Sequence, residues 1–128
     1  METRIERHEG AVVIEVPEDG LKIAAFDEFR LIVFDEIKRC PNLVLDMMRI
    51  SFFASSGIGG VLLFMKRCRE LGGDVKLCNA SDSIRLVLKT MRLDSTLEVL
   101  PTREAAVRAF QTAPTSPSDD SGTQGSVN

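Results

Sequence analysis

The chain alternates between short apolar runs and amphipathic stretches, and the order of the two kinds sets the architecture. Ile5–His8 and Ala11–Val16 flank the turn Glu9-Gly10, and Val12, Val13, Ile14 and Val16 are β-branched, so two short strands are predicted there. Pro17-Glu18-Asp19-Gly20 breaks the chain. From about Ala24 to Cys40 the apolar residues Phe26, Phe29, Val33, Ile37 and Cys40 recur at helical spacing, and Pro41 stops the helix. Leu31 and Phe34 fall off this stripe and suggest a second apolar face, for core contact or for self-association.

Leu43-Val44-Leu45-Asp46-Met47 is nearly continuous in apolar character, as a strand buried on both faces should be. A helix over about Ser56–Leu71 follows, with Ile58, Val61, Leu62, Met65 and Cys68 along one face and Gly72-Gly73 as its stop. Asp74–Cys78 is the next strand. Strand, helix and strand of these lengths form a βαβ unit with parallel strands. Ser81 is placed to cap a third helix whose apolar side is Ile84, Val87, Leu88 and Met91. Leu97–Leu100 is a last short strand, and Thr102 can cap a final helix, Arg103–Phe110, packing with Ala106 and Phe110. The expected fold is α/β: a small mixed sheet with helices over one face.

Composition adds a boundary. After Phe110 the chain turns to Ser, Thr, Pro, Gly and Asp, so residues 1–110 should be the domain and 111–128 a disordered tail that cannot bury enough surface to offset its entropy. The formal net charge is −3 and no dense basic block occurs, which argues against a nucleic-acid partner. All the aromatics are Phe, so base-stacking platforms are scarce. No apolar run approaches the ~20 residues of a membrane span, and the charged start Met1–Arg7 does not resemble a signal peptide. The expected location is the cytoplasm. Cys40, Cys68 and Cys78, without C-x-x-C spacing, read as free and mostly buried thiols; with His8 the lone histidine, no metal site is expected.

The informative junction is Ile50–Gly60, between the buried strand and its helix, where α/β domains place their sites. Ser55 and Ser56 stand at a helix start, whose free N–H groups and partial positive charge suit anions. Gly57, Gly59 and Gly60 clear side chains from the first turn, so another backbone or a partner can approach. A serine before a helix is usually only a cap, and glycines there often serve packing. A P-loop would need Gly-Lys-Ser/Thr, and a hydrolase elbow would need glycine where Phe53 stands. His8, on the first strand, is poorly placed as a base. No cofactor and no enzymatic activity are expected.

The segments Leu43–Asp46, Ile50–Gly59, Lys66–Asn79 and Ser83–Asp94, in this order and spacing, resemble STAS domains of the bacterial anti-sigma factor antagonist type over roughly Ile5–Phe110. In that family the first serine of Asp-Ser-Ser/Thr-Gly is phosphorylated by a cognate anti-sigma factor serine kinase, and a serine phosphatase reverses the modification. The unphosphorylated antagonist binds the kinase and frees the sigma factor. By motif position the resemblance implies phosphorylation at Ser55. The partner surface would comprise Ser56, Gly57, Ile58, Gly59 and Gly60 with the exposed side of the helix, Phe64, Lys66 and Arg67 being candidates. Three positions depart from the family pattern: Ala54 and Lys22 stand where it has acids, and Arg92 where it has glycine. The first two favour an alternative, a STAS scaffold or accessory subunit of a signalling or transport assembly without phosphorylation. Leu31 and Phe34 would then supply a contact surface, and a weak homodimer would fit them.

Overall fold

A computed structural model describes residues 1–52 and 54–112. The tail expected over 111–128 lies outside them beyond Thr112. The described part of the boundary moves slightly: the last helix continues to Thr112, and Gln111 Nε2 donates to Glu9 O at 2.9 Å.

Five strands form one sheet whose spatial order follows the chain: β1 (Ile5–His8), β2 (Ala11–Glu15), β3 (Asn42–Asp46), β4 (Asp74–Cys78) and β5 (Glu98–Leu100). β1 and β2 are an antiparallel hairpin; β2, β3, β4 and β5 run parallel. The crossovers are α1 (Ile23–Ile37), α2 (Ser55–Glu70) and α3 (Asp82–Thr90), and α4 (Arg103–Thr112) closes the domain. Parallel strands need such crossovers, and each one is fed by a strand ending at the same sheet edge. The loops before α1, α2 and α3 therefore gather at that edge.

The mixed sheet is the one expected, but the helices do not all share a face. Val12, Ile14, Leu43, Leu45, Val75 and Leu77 point to the side covered by α1, α2 and α3. The alternate residues Ala11, Val13, Val44 and Cys78 meet Ala106 and Val107 of α4 on the opposite side. Strand periodicity explains why both sets are apolar. The sequence of α4 is short and reveals only its own apolar side, not which sheet face that side meets.

Helix α2 is rotated from the stripe expected for it. Its buried residues are Gly57, Ile58, Gly60, Val61, Phe64 and Cys68, while Leu62 and Met65 are half-buried. Phe64, expected on the exposed side, is fully buried. Its ring meets Phe26, Phe29 and Phe34 at centroid separations of 5.6, 5.8 and 6.1 Å. Glycines carry no apolar weight in a periodicity count, yet Gly60 forms the seat for this cluster: a Cβ there would lie 2.7 Å from Phe26 Cε1. Burial of a Phe of this kind contributes roughly 2–3 kcal/mol. Phe34 is also drawn inward, which leaves Leu31, 62% exposed, without the apolar companion expected on α1.

Two helix stops show what glycine does. Gly72 adopts φ +92° after α2, while Gly73 Cβ would lie 2.1 Å from the Pro41 carbonyl oxygen, so the first glycine serves conformation and the second close approach. After α3 the same stop is built without glycine. Leu93 N–H donates to Leu88 O at 2.8 Å and Arg92 N–H to Lys89 O at 3.0 Å, with Arg92 at φ +59°. The glycine of the family pattern is thus the residue this backbone prefers. Replacing Arg92 by Gly should raise stability by about 1 kcal/mol, read as a higher urea midpoint with an unchanged slope.

Candidate functional site

Ser55 is the first residue of α2, and its predecessor Ala54 is the extended N-cap (φ −79°, ψ 163°). The Ala54 carbonyl accepts from Gly57 N–H at 2.9 Å and Ile58 N–H at 3.2 Å. No side chain caps this end, and the first turn holds no acidic residue. Neither serine is therefore the capping residue that a serine before a helix usually is. By contrast Ser81 Oγ caps α3, accepting from Ile84 N–H at 3.2 Å, and Thr102 Oγ1 accepts from Ala105 N–H at 3.0 Å. The head of α2 keeps its partial positive charge uncompensated beside two exposed hydroxyl residues.

The candidate residues divide sharply. Ser55, Ser56 and Gly59 are exposed; Gly57, Ile58 and Gly60 are buried, as is Phe64. Gly60 is a packing glycine, set against Phe26 and Leu21, whereas a Cβ on Gly59 would meet nothing within 4 Å. Gly59 thus has no packing reason within the described fold. Lys66 is exposed, but Arg67 already has company: its guanidinium lies 5.9 Å from the Phe34 ring centroid and 3.3 Å from Glu70 Oε1.

Three exposed apolar side chains from the same sheet edge were not anticipated. Ile23 opens α1 and is 83% exposed; Met48 and Phe52, in the loop between β3 and α2, are 60% and 71% exposed. A cleft of about 240 Å³ joins the two helix heads, lined by Leu21, Ile23, Phe26, Asp27 and Ser56. The available signal was large apolar residues in a connecting loop, where polar turn residues are the rule.

Beneath that loop lies a charged network, also unforeseen. Asp46 is fully buried at the end of β3. Its Oδ1 accepts from Met48 N–H and from Asn79 Nδ2, each at 3.0 Å. Its Oδ2 accepts from Arg103 Nε at 3.0 Å and Nη2 at 2.5 Å. Arg103 Nη1 also reaches Glu6 Oε2 at 2.5 Å, and Nη2 lies 3.5 Å from Glu15 Oε2. The hydrogen bonds to Asp46 push the Arg103 pKa further up; burial opposes them and Glu6 adds to them. Asn79 sits at φ +56°, a left-handed position that asparagine tolerates, with its amide aimed at Asp46.

Other chemistry finds little support. Burial pushes the Cys68 and Cys78 thiols up to about 12, so neither supplies a thiolate near neutral pH. His8 lies on β1 with its ring 3.3 Å from Glu6, away from the serines in the sequence of strand ends. Among the described residues no group of three or more His, Cys, Asp or Glu is placed to hold a metal ion, and no helix is long and apolar enough to cross a membrane.

Comparison with known proteins extends this picture. BtrV of Bordetella bronchiseptica, named as an anti-sigma factor antagonist, is 37% identical over 72 residues, which are 56% of this chain and 62% of BtrV. The chain thus spans less than two thirds of BtrV in that match. The anti-sigma factor antagonist SpoIIAA in its unphosphorylated form superposes with a TM-score of 0.69 at 25% identity, covering 86% of this chain and 96% of SpoIIAA. The phosphorylated form of SpoIIAA, from Bacillus, gives 0.64 at 26% identity over 84% of this chain and 99% of the other. The STAS domain model matches residues 2–106. With that match over most of its length, and with the expected sheet and crossovers in place, the chain belongs to the STAS domain family.

Proposed function

We propose that the chain is an anti-sigma factor antagonist, a protein-binding switch controlled by phosphorylation of Ser55. Unphosphorylated, it sequesters an anti-sigma factor serine kinase; a serine phosphatase resets it. The observation that carries this reading is an exposed Ser55 at the uncapped head of α2, at the sheet edge that also exposes Ile23, Met48 and Phe52. A hydroxyl there is open to a modifying enzyme, and the apolar side chains give a partner surface to bury.

The physical logic is electrostatic. Phosphorylation adds about −1.5 to −2 charges at neutral pH. In the free chain the uncapped amides of the α2 head favour that charge. The departure at Ala54 acts in the same direction, because it removes a carboxylate that would repel the phosphate. At a docked interface the same group must shed water, and like-charge juxtaposition costs several kcal/mol. A penalty of ~3 kcal/mol weakens binding about a hundredfold.

The scaffold alternative loses part of its basis. With Phe34 packed inward, Leu31 alone remains of the apolar face that would have paired copies of the chain.

Incubation with a candidate anti-sigma serine kinase and ATP, followed by mass spectrometry, should place the phosphate on Ser55. Ser55→Ala should take up none, and label that persists on it overturns the assignment. Ser55→Asp should bind the kinase more weakly in calorimetry, and unchanged affinity contradicts the charge mechanism. Gly59→Ala separates binding from folding. An exposed helical glycine costs about 1 kcal/mol relative to alanine, so this variant should melt higher yet bind the kinase more weakly. Gly60→Ala, which must displace Phe26, should melt lower.

A further inference from the structure

The exposed rim beside Ser55 is a loop, and loops are ordered only by what holds them. Met48 leaves β3 two residues after Asp46, and its N–H is bound at 3.0 Å by Asp46 Oδ1. Ile50 N–H closes the next turn on Met47 O at 2.9 Å, and Met47 N–H is held by Cys78 O at 2.9 Å. The Asp46 carboxylate is thus one of the points where the loop is tied to the sheet, beside the Met47–Cys78 backbone bond and the Arg49–Glu15 pair at 4.0 Å. Its other oxygen is occupied by the Arg103 fork, from the opposite face of the sheet. Ser55 itself is secured differently, through the packing of Ile58, Gly60 and Phe64 under α2.

We propose that Arg103 is a positioning residue for the docking rim: through Asp46 it pre-orders the Met48–Phe52 side of the site, so that α4 sets the affinity for the partner while α2 presents the serine. The inference rests on the reading of Ser55 as the switch. The Asp46 carboxylate has two oxygens and four donors, and Arg103 supplies two of them in a fixed planar fork. Without that fork nothing fixes the plane of the Asp46 carboxylate, and its hold on the Met48 amide loosens. A rim that must be ordered on docking then weakens the complex. Glu6 contacts the same guanidinium at 2.5 Å, and among the described residues its other side-chain hydrogen bond is to His8 of its own strand, which makes it an internal control.

The test uses the full chain and Arg103→Lys, Arg103→Gln, Asn79→Ala and Glu6→Gln variants, each checked by its melting curve. Two quantities are read at a temperature where the variant is folded: hydrogen exchange of the Met48 amide by NMR, and phosphorylation kinetics with a candidate kinase. Arg103→Lys keeps the charge and loses the fork. It should exchange the Met48 amide about tenfold faster, as loss of one hydrogen bond to a charged group allows. Its KM for the kinase should rise by a similar factor with kcat within about twofold, because Ser55 is still presented by α2. Arg103→Gln should do the same more strongly, and Asn79→Ala, which also removes a donor from Asp46, in the same direction. Glu6→Gln should match the wild type in both readings.

Where Arg103→Gln does not fold, Arg103→Lys and Asn79→Ala decide. Unchanged Met48 exchange or unchanged KM in a folded Arg103→Lys chain overturns the proposal. So does an equal loss in Glu6→Gln, which would mark a general charge effect. A wild-type chain that takes no phosphate from any candidate kinase strikes the Ser55 reading instead. The exchange rates alone then judge the clamp: wild-type rates in Arg103→Lys reject it, and faster ones uphold it.

Discussion

A buried carboxylate is costly unless every acceptor site is used, and Asp46 meets that condition with donors from three parts of the chain. Met48 belongs to the loop that follows, Asn79 to the end of the neighbouring strand, and Arg103 to the last helix. Its backbone oxygen also accepts from Val16 N–H at 3.0 Å. One residue therefore ties β2, β3, β4 and α4 together at the edge of the sheet where the candidate site lies. Removing Arg103 would leave the buried Asp46 carboxylate without a cation, while Glu15, buried beside the same guanidinium, would keep Arg49 at 4.0 Å.

On that platform, the head of α2 is an unfinished structure. α3 and α4 satisfy their first amides with Ser81 and Thr102, whereas α1, starting from Lys22, and α2, starting from Ala54, have no side-chain cap. Gly59 is unhelpful to a helix and unneeded by the core, while Gly60 is required by the Phe26–Phe64 contact. Natural domains break local rules of this kind mostly where function needs them broken. The uncapped turn, the open glycine and the exposed apolar rim fall at the same place, and the proposed switch accounts for all of them together.

Much of the fold was legible in the residues. The β-branched runs gave β2, the continuous apolar run gave β3, and Pro41 and Gly72 marked helix ends that the structure retains. Ser81 and Thr102 read correctly as caps. What sequence reading missed has common physical causes. Phe64 appeared exposed because a periodicity count gives no weight to Gly60, the residue that makes room for the aromatic cluster. The side of the sheet taken by α4 is where its Ala106 and Val107 meet Ala11, Val13, Val44 and Cys78, a long-range match that no local pattern announces. The candidate site came from Ser55 and its glycines together with the family resemblance, but its rim did not, because Met48 and Phe52 have meaning only once the strand ends are aligned.

The central claim is that a charge added to Ser55 acts at the docking surface and leaves the platform beneath it unchanged. Comparing backbone amide chemical shifts of the full chain before and after phosphorylation tests this most directly. The account predicts changes confined to the first turn of α2 and the adjoining loop, with Asp46, Asn79 and the strands unmoved. Shifts that spread through β3, β4 and α4 would contradict it, because they would mean that the switch works by reshaping the domain.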